Sequence, residues 1–151
     1  MKYLRYIIVI VVVLIAYYLI SPLFRVIEAN EDFPVVTTNT VQDKALTPRV
    51  ITSSNFIASK HDVQGSAVLI EHDSNRILRF ENFETVNGPN LHIYLASDQS
   101  AKDFVDLGPI KATRGNVNYE IPEDVDLEKY NTVLVYCVPF KVVFSFAELQ
   151  I

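Results

Sequence analysis

The chain has 151 residues, half of them hydrophobic and 21% charged, so it can bury a core and is not disordered by composition. Its formal net charge of -5 at pH 7, with no basic patch along its length, excludes a phosphate-reading surface, and no nucleic-acid partner is expected. Trp is absent, Met1 is the single methionine and Cys137 the single cysteine.

The first element decides the compartment. After Lys2 and Arg5, residues 6–24 (YIIVIVVVLIAYYLISPLF) carry no charge until Arg25. As a helix they would span about 28 Å, close to the thickness of a bilayer's hydrocarbon core. A cleaved signal peptide has a shorter apolar region and a small-x-small cleavage site, whereas the bulky SPLFRVIEAN follows here. A lipoprotein would need a cysteine just after the apolar run. An uncleaved anchor over residues 1–24 is therefore expected, with the membrane as a partner through residues 6–24. Lys2, Arg5 and the amino terminus precede the span, and Glu28, Glu31 and Asp32 outnumber Arg25 after it. The positive-inside rule then predicts a single-pass protein with a cytoplasmic N-terminus and an extracytoplasmic domain. The span lacks a G-x-x-x-G packing face.

Residues 25–52 show no sustained period and contain Pro34 and Pro48, so they read as a stalk or linker. Pro34 to Val41 is an alternative edge strand. Residues 53–151 read as strand after strand. Leu78 and Phe80 share one face, opposite Arg79 and Glu81. Leu91, Ile93 and Leu95 alternate with His92 and Tyr94, and Val117, Tyr119 and Ile121 with Asn118 and Glu120. This period of two marks half-buried strands. TVLVYCV is apolar on both faces and suits a central strand. Turn signals fall at residues 72–75, 87–90, 114–116 and 122–124. Ser100 to Val105 is the one stretch with a helical reading. The predicted fold is all-β, an antiparallel sandwich of about seven to nine short strands behind one transmembrane helix.

Blocks within this region resemble the DM13 domain, a small extracytoplasmic β module often found near DOMON and cytochrome b561-type domains. They are Phe56 with Gly65; the N-G-P-x-L core at Asn87, Gly88, Pro89 and Leu91; and Leu107, Gly108, Gly115, Tyr119 and Pro122. VDLEKYNTVLVYC follows, then Phe140, Val142, Phe144, Ala147 and Leu149. Tyr136 departs from the family, which usually has Trp before the cysteine. The resemblance implies a role in electron transfer, with Cys137 as the redox centre.

The residues around Cys137 leave its chemistry open. It shares a strand face with Val133 and Val135; if that face is the core, the thiol is desolvated and inert. Alternatively the strand ends at Val138-Pro139 and Lys141 lowers the thiol's pKa, or the cysteine pairs with another chain. An intramolecular disulfide is excluded. Known carriers fail on spacing, so the cofactor is unknown: no c-type haem motif, no histidine after Cys137 for a cupredoxin site, and too few thiols for an iron–sulfur cluster. A Met-and-His b-type haem lacks its methionine. The remaining metal candidates are His92 and Cys137 together, and only if their strands adjoin.

His61 and His72 each precede an Asp and read as solvated loop residues. Glu120, Glu123, Asp124, Asp126 and Glu128 form an acidic run without EF-hand spacing, a calcium candidate or a solvated connection. No hydrolase or nucleotide-binding pattern stands out, so a conventional enzyme is not expected. Two readings follow. One is a membrane-anchored redox module centred on Cys137, with a redox or membrane-protein partner. The other is a non-catalytic binding or assembly module, or an accessory subunit of a membrane complex. In the second, Cys137 fills the core and exposed aromatics such as Tyr94 do the work.

Overall fold

The structure, a computed structural model, describes residues 2–21, 25–34, 48–72 and 75–151. Helix α1 (Lys2–Ile20) is exposed along nearly its whole length. Its window Tyr3–Ile20 has a mean hydropathy of 2.4, long and apolar enough to cross a membrane; a signal sequence meets the same criterion.

Among the described residues, ten strands follow in two sheets. Sheet A holds β1 (Glu28–Asn30), β8 (Arg114–Ile121), β5 (Asn75–Thr85), β4 (Val63–His72) and β2 (Arg49–Asn55), in that order. Sheet B holds β3 (Ile57–Ala58), β10 (Val142–Glu148), β9 (Thr132–Cys137), β6 (Leu91–Ala96) and β7 (Phe104–Pro109). All neighbours are antiparallel except β1, which runs parallel to β8. The fold is the predicted β-sandwich. Ser100 to Val105 is not helical: the chain turns at Gln99 and Ser100, and Phe104 opens strand β7. Short β7 pairs with β6 there, so ladder hydrogen bonds outweigh the local helical option.

The stretch read as a stalk supplies one edge strand of sheet A, β1, and the first four residues of the other, β2. Thr113 donates its N–H to the Ile27 carbonyl at 2.8 Å, and its Oγ1 accepts from Ile27 N at 2.9 Å. β1 then pairs Glu28 with Arg114 and Asn30 with Asn116. Arg79 clamps the next residues, its Nη1 donating to the carbonyls of Glu31 and Asp32. The Phe33 ring lies 5.4 Å from that guanidinium. Pro34 is outside any strand, and the rest of the alternative strand to Val41 lies outside the described residues.

The core forms between the inward faces. Leu69, Leu78, Phe80, Val117 and Tyr119 of sheet A meet Leu91, Ile93, Leu95, Val133 and Val135 of sheet B. Burying each large side chain stabilises the fold by roughly 1.5–3 kcal/mol. Strict alternation would point Phe83 away from Phe80, yet both are buried and their rings lie 4.9 Å apart. The register shifts between them, where Asn82 sits at φ 49, a left-handed conformation that Asn tolerates. Opposite this bulge, Gly65 has φ 96, and a Cβ there would come within 2.5 Å of the Glu81 carbonyl. Only glycine fits.

Candidate functional site around Cys137

Strand β9 is central in sheet B, flanked by β10 and β6. Its alternation sends Val133, Val135 and Cys137 into the main core and Leu134 and Tyr136 to the outer face. Cys137 is opposite Val142 on one side and Leu91 on the other. It is the last residue of β9 and is fully buried.

The N-G-P turn closes over the sulfur. Cys137 Sγ donates to the Pro89 carbonyl at 3.3 Å, and Val138 N donates to the Asn90 carbonyl at 3.2 Å. Asn87 shapes the turn: its Oδ1 accepts from Gly88 N at 2.8 Å, and its Nδ2 donates to the Arg25 carbonyl at 3.0 Å. Gly88 leaves no room for a side chain, since a Cβ would meet the Phe144 ring at 2.9 Å. Burial pushes the Cys137 thiol up from its ordinary pKa, opposed only in part by a backbone hydrogen bond at Phe140. Lys141 is exposed in the β9–β10 turn, and the thiol is raised rather than lowered. The site keeps a neutral thiol, and attack on a disulfide needs a thiolate.

The strands bearing His92 and Cys137 do adjoin, but on opposite faces. His92 is opposite Tyr136, one residue out of step with the Leu91–Cys137 pair, so its ring lies on the outer face of sheet B. There its Nδ1 lies 2.8 Å from Asp106 Oδ2 and 3.0 Å from Oδ1. The fold therefore does not bring the two metal candidates together. Among the described residues, no three His, Cys, Asp or Glu side chains converge as metal ligands.

Tyr94 is not the exposed aromatic expected from its place opposite the core face. It is 4% exposed, within a second cluster with Ala96 and Leu134. Phe104 of β7 stacks on it at 4.0 Å with planes 10° apart, and Tyr136 of β9 lies at 5.0 Å and 29°. These diagonal contacts cover the ring from both neighbouring strands. Burial, then the nearby Asp106 and Tyr136, raises the Tyr94 pKa. Asp106 and Phe104 carried no sequence signal, because their meeting with His92 and Tyr94 depends on the β6–β7 register.

His61 is half-buried, its ring 4.0 Å from that of Phe144. His72 is not a solvated loop residue. It ends β4 and is buried, and its Nδ1 has no hydrogen-bond partner among the described residues. Of the acidic run, Glu120 lies in β8 and the other four residues lie in the β8–β9 connection, where Asp126 Oδ1 accepts from Glu128 N at 3.0 Å and caps the local turn.

A family model described as "Electron transfer DM13" covers residues 55–149, more than half of the chain. No curated protein and no solved structure matches significantly. The matched span runs from the end of β2 through β10 and contains both the N-G-P turn and Cys137. The chain belongs to the DM13 family.

Proposed function

We propose that the protein is a membrane-anchored, extracytoplasmic DM13 module serving an electron-transfer assembly, held by α1 with its N-terminus in the cytoplasm. The observation that carries this reading is the electron-transfer DM13 match over residues 55–149 in a chain whose N-terminal helix is long enough to cross a bilayer. The charge balance on either side of that helix supports the orientation.

Within this reading Cys137 is a core residue of the resting fold, and the module acts as an accessory or docking subunit. Its full burial, raised pKa and hydrogen bond to Pro89 support that assignment. The alternative is a transfer centred on Cys137, the role the family implies. It requires the Asn87–Asn90 turn to lift from the sulfur and a redox partner to reach it.

Thiol labelling of the folded protein separates the two. The core reading expects Cys137 to stay unmodified until denaturant is added, at a rate that tracks global unfolding. Rapid labelling of the native fold below about pH 8 would overturn it and favour the cysteine-centred transfer.

A further inference from the structure

Chain connectivity places one end of the sandwich beside the helix. Arg25 follows α1 by five residues, so its Cα lies at most about 18 Å from that of Ile20 even if the link is fully extended. Its carbonyl is held by Asn87. The Asn87–Asn90 turn is thereby tied to the chain as it leaves the helix.

Several exposed groups gather at this same end. The β9–β10 turn is there, because Val138 N bonds to the Asn90 carbonyl and Val142 pairs with Cys137. The β3–β4 connection is there as well, since Val63 pairs with Thr85 at the end of β5. Phe140 is 54% exposed, Val26 59% and Val86 39%. Arg25, Lys60 and Lys141 are exposed between them, and none has an ion-pair partner among the described residues. At the opposite end, the β8–β9 connection presents Glu123, Asp124, Asp126 and Glu128, all exposed. The end toward the helix thus carries three cations without ion-pair partners among the described residues and several apolar tips, beside one exposed carboxylate, Asp62, and the Glu28 and Glu84 carboxylates paired with Arg114; the opposite end carries four exposed carboxylates.

We propose that this end, formed by the Asn87–Asn90 and Val138–Lys141 turns, docks on the surface of the bilayer that holds α1. The proposal rests on the reading of α1 as a membrane span. Anionic headgroups attract Arg25, Lys60 and Lys141 within a Debye length, and Phe140, Val26 and Val86 enter the headgroup boundary. The acidic pole is repelled by the same surface and faces outward. The domain then stands upright with the N-G-P turn against the lipid.

The absence of Trp makes the test direct. Full-length Phe140→Trp, and separately Glu123→Trp as the distal reporter, are reconstituted in phosphatidylcholine vesicles with a minority of phosphatidylglycerol and brominated acyl chains. Quenching of the Phe140→Trp emission at least roughly twofold stronger than that of Glu123→Trp is expected, falling toward the distal value when Lys60→Glu and Lys141→Glu are added. Equal quenching of both reporters, in protein that resists alkaline carbonate extraction, would overturn the docking while leaving the anchor intact. Extraction of the protein by carbonate would overturn the anchor and the docking with it. Val86→Trp is the second reporter, with the same two outcomes, should Phe140→Trp not fold.

Discussion

Cys137 Sγ donates its hydrogen to the Pro89 carbonyl at 3.3 Å, which places the only thiol beneath the N-G-P turn. The contact joins the end of β9 to the start of β6, and Val138 N to Asn90 extends it by one backbone bond. The sulfur therefore acts as a small buried hydrophobe with one weak donor.

Substitution at Cys137 should follow volume. Cys137→Val adds roughly one methyl group to a fully buried site and is expected to destabilise by about 1–2 kcal/mol. Cys137→Ala leaves a small void and should destabilise by roughly 1–2 kcal/mol. Urea denaturation of the purified domain measures both. A Cys137→Val variant that still folds, yet loses activity with a membrane oxidoreductase partner, would reinstate the thiol as a redox centre.

Tyr119 makes stability fall at alkaline pH. Burial pushes its hydroxyl up to about 12 from 10.0, although its oxygen accepts from Lys111 N at 2.9 Å. The unfolded chain loses this proton near pH 10 while the folded chain keeps it. The native state then holds more protons, and stability declines between about pH 10 and 12. The slope approaches ~1.4 kcal/mol per pH unit. Tyr119→Phe removes this component, so the difference between parent and variant in urea midpoints should shrink or reverse across that window.

Arg79 holds residues 31–33 on sheet A. Its Nη1 also donates to Asn118 Oδ1 at 2.9 Å, and its Nε meets Glu81 at 3.0 Å. The side chain is buried, so Arg79→Ala should destabilise by about 2 kcal/mol. Hydrogen exchange should show the loss first at Glu28–Asn30, before the central strands respond. Uniform acceleration across sheet A would contradict a local clamp.

The two outer-face residues of β6 should differ sharply. Tyr94→Ala removes a ring stacked on both sides and is expected to destabilise by roughly 2–3 kcal/mol. His92→Ala breaks a partly exposed pair with Asp106 and should change stability by less than about 1 kcal/mol. Thermal unfolding of the two variants compares them directly. Equal effects would mean that the stack does not hold sheet B's outer face.

Much of the sandwich was legible because alternation is local. Each of Leu78, Phe80, Leu91, Ile93, Leu95, Val117 and Tyr119 lies on the face its parity assigns; parity also groups Cys137 with Val133 and Val135, but only the packed sheets decide that their face is the core. Parity could not reveal Phe83, which reaches the core only through the Asn82 bulge. It also could not predict the burial of Tyr94, because the rings that cover it come from β7 and β9.

By itself the sequence determined the apolar helix, the all-β class and the alternation of the segments around Leu78, Ile93 and Tyr119. These depend on neighbours two to four positions away and on total hydrophobicity. Tertiary structure alone decided that Pro89 caps the Cys137 thiol, that His92 and Cys137 lie on opposite faces of adjoining strands, and that Arg25, Lys60 and Lys141 gather at one end. Such meetings join residues tens of positions apart, and they exist only once register and strand order have closed the two sheets on one core.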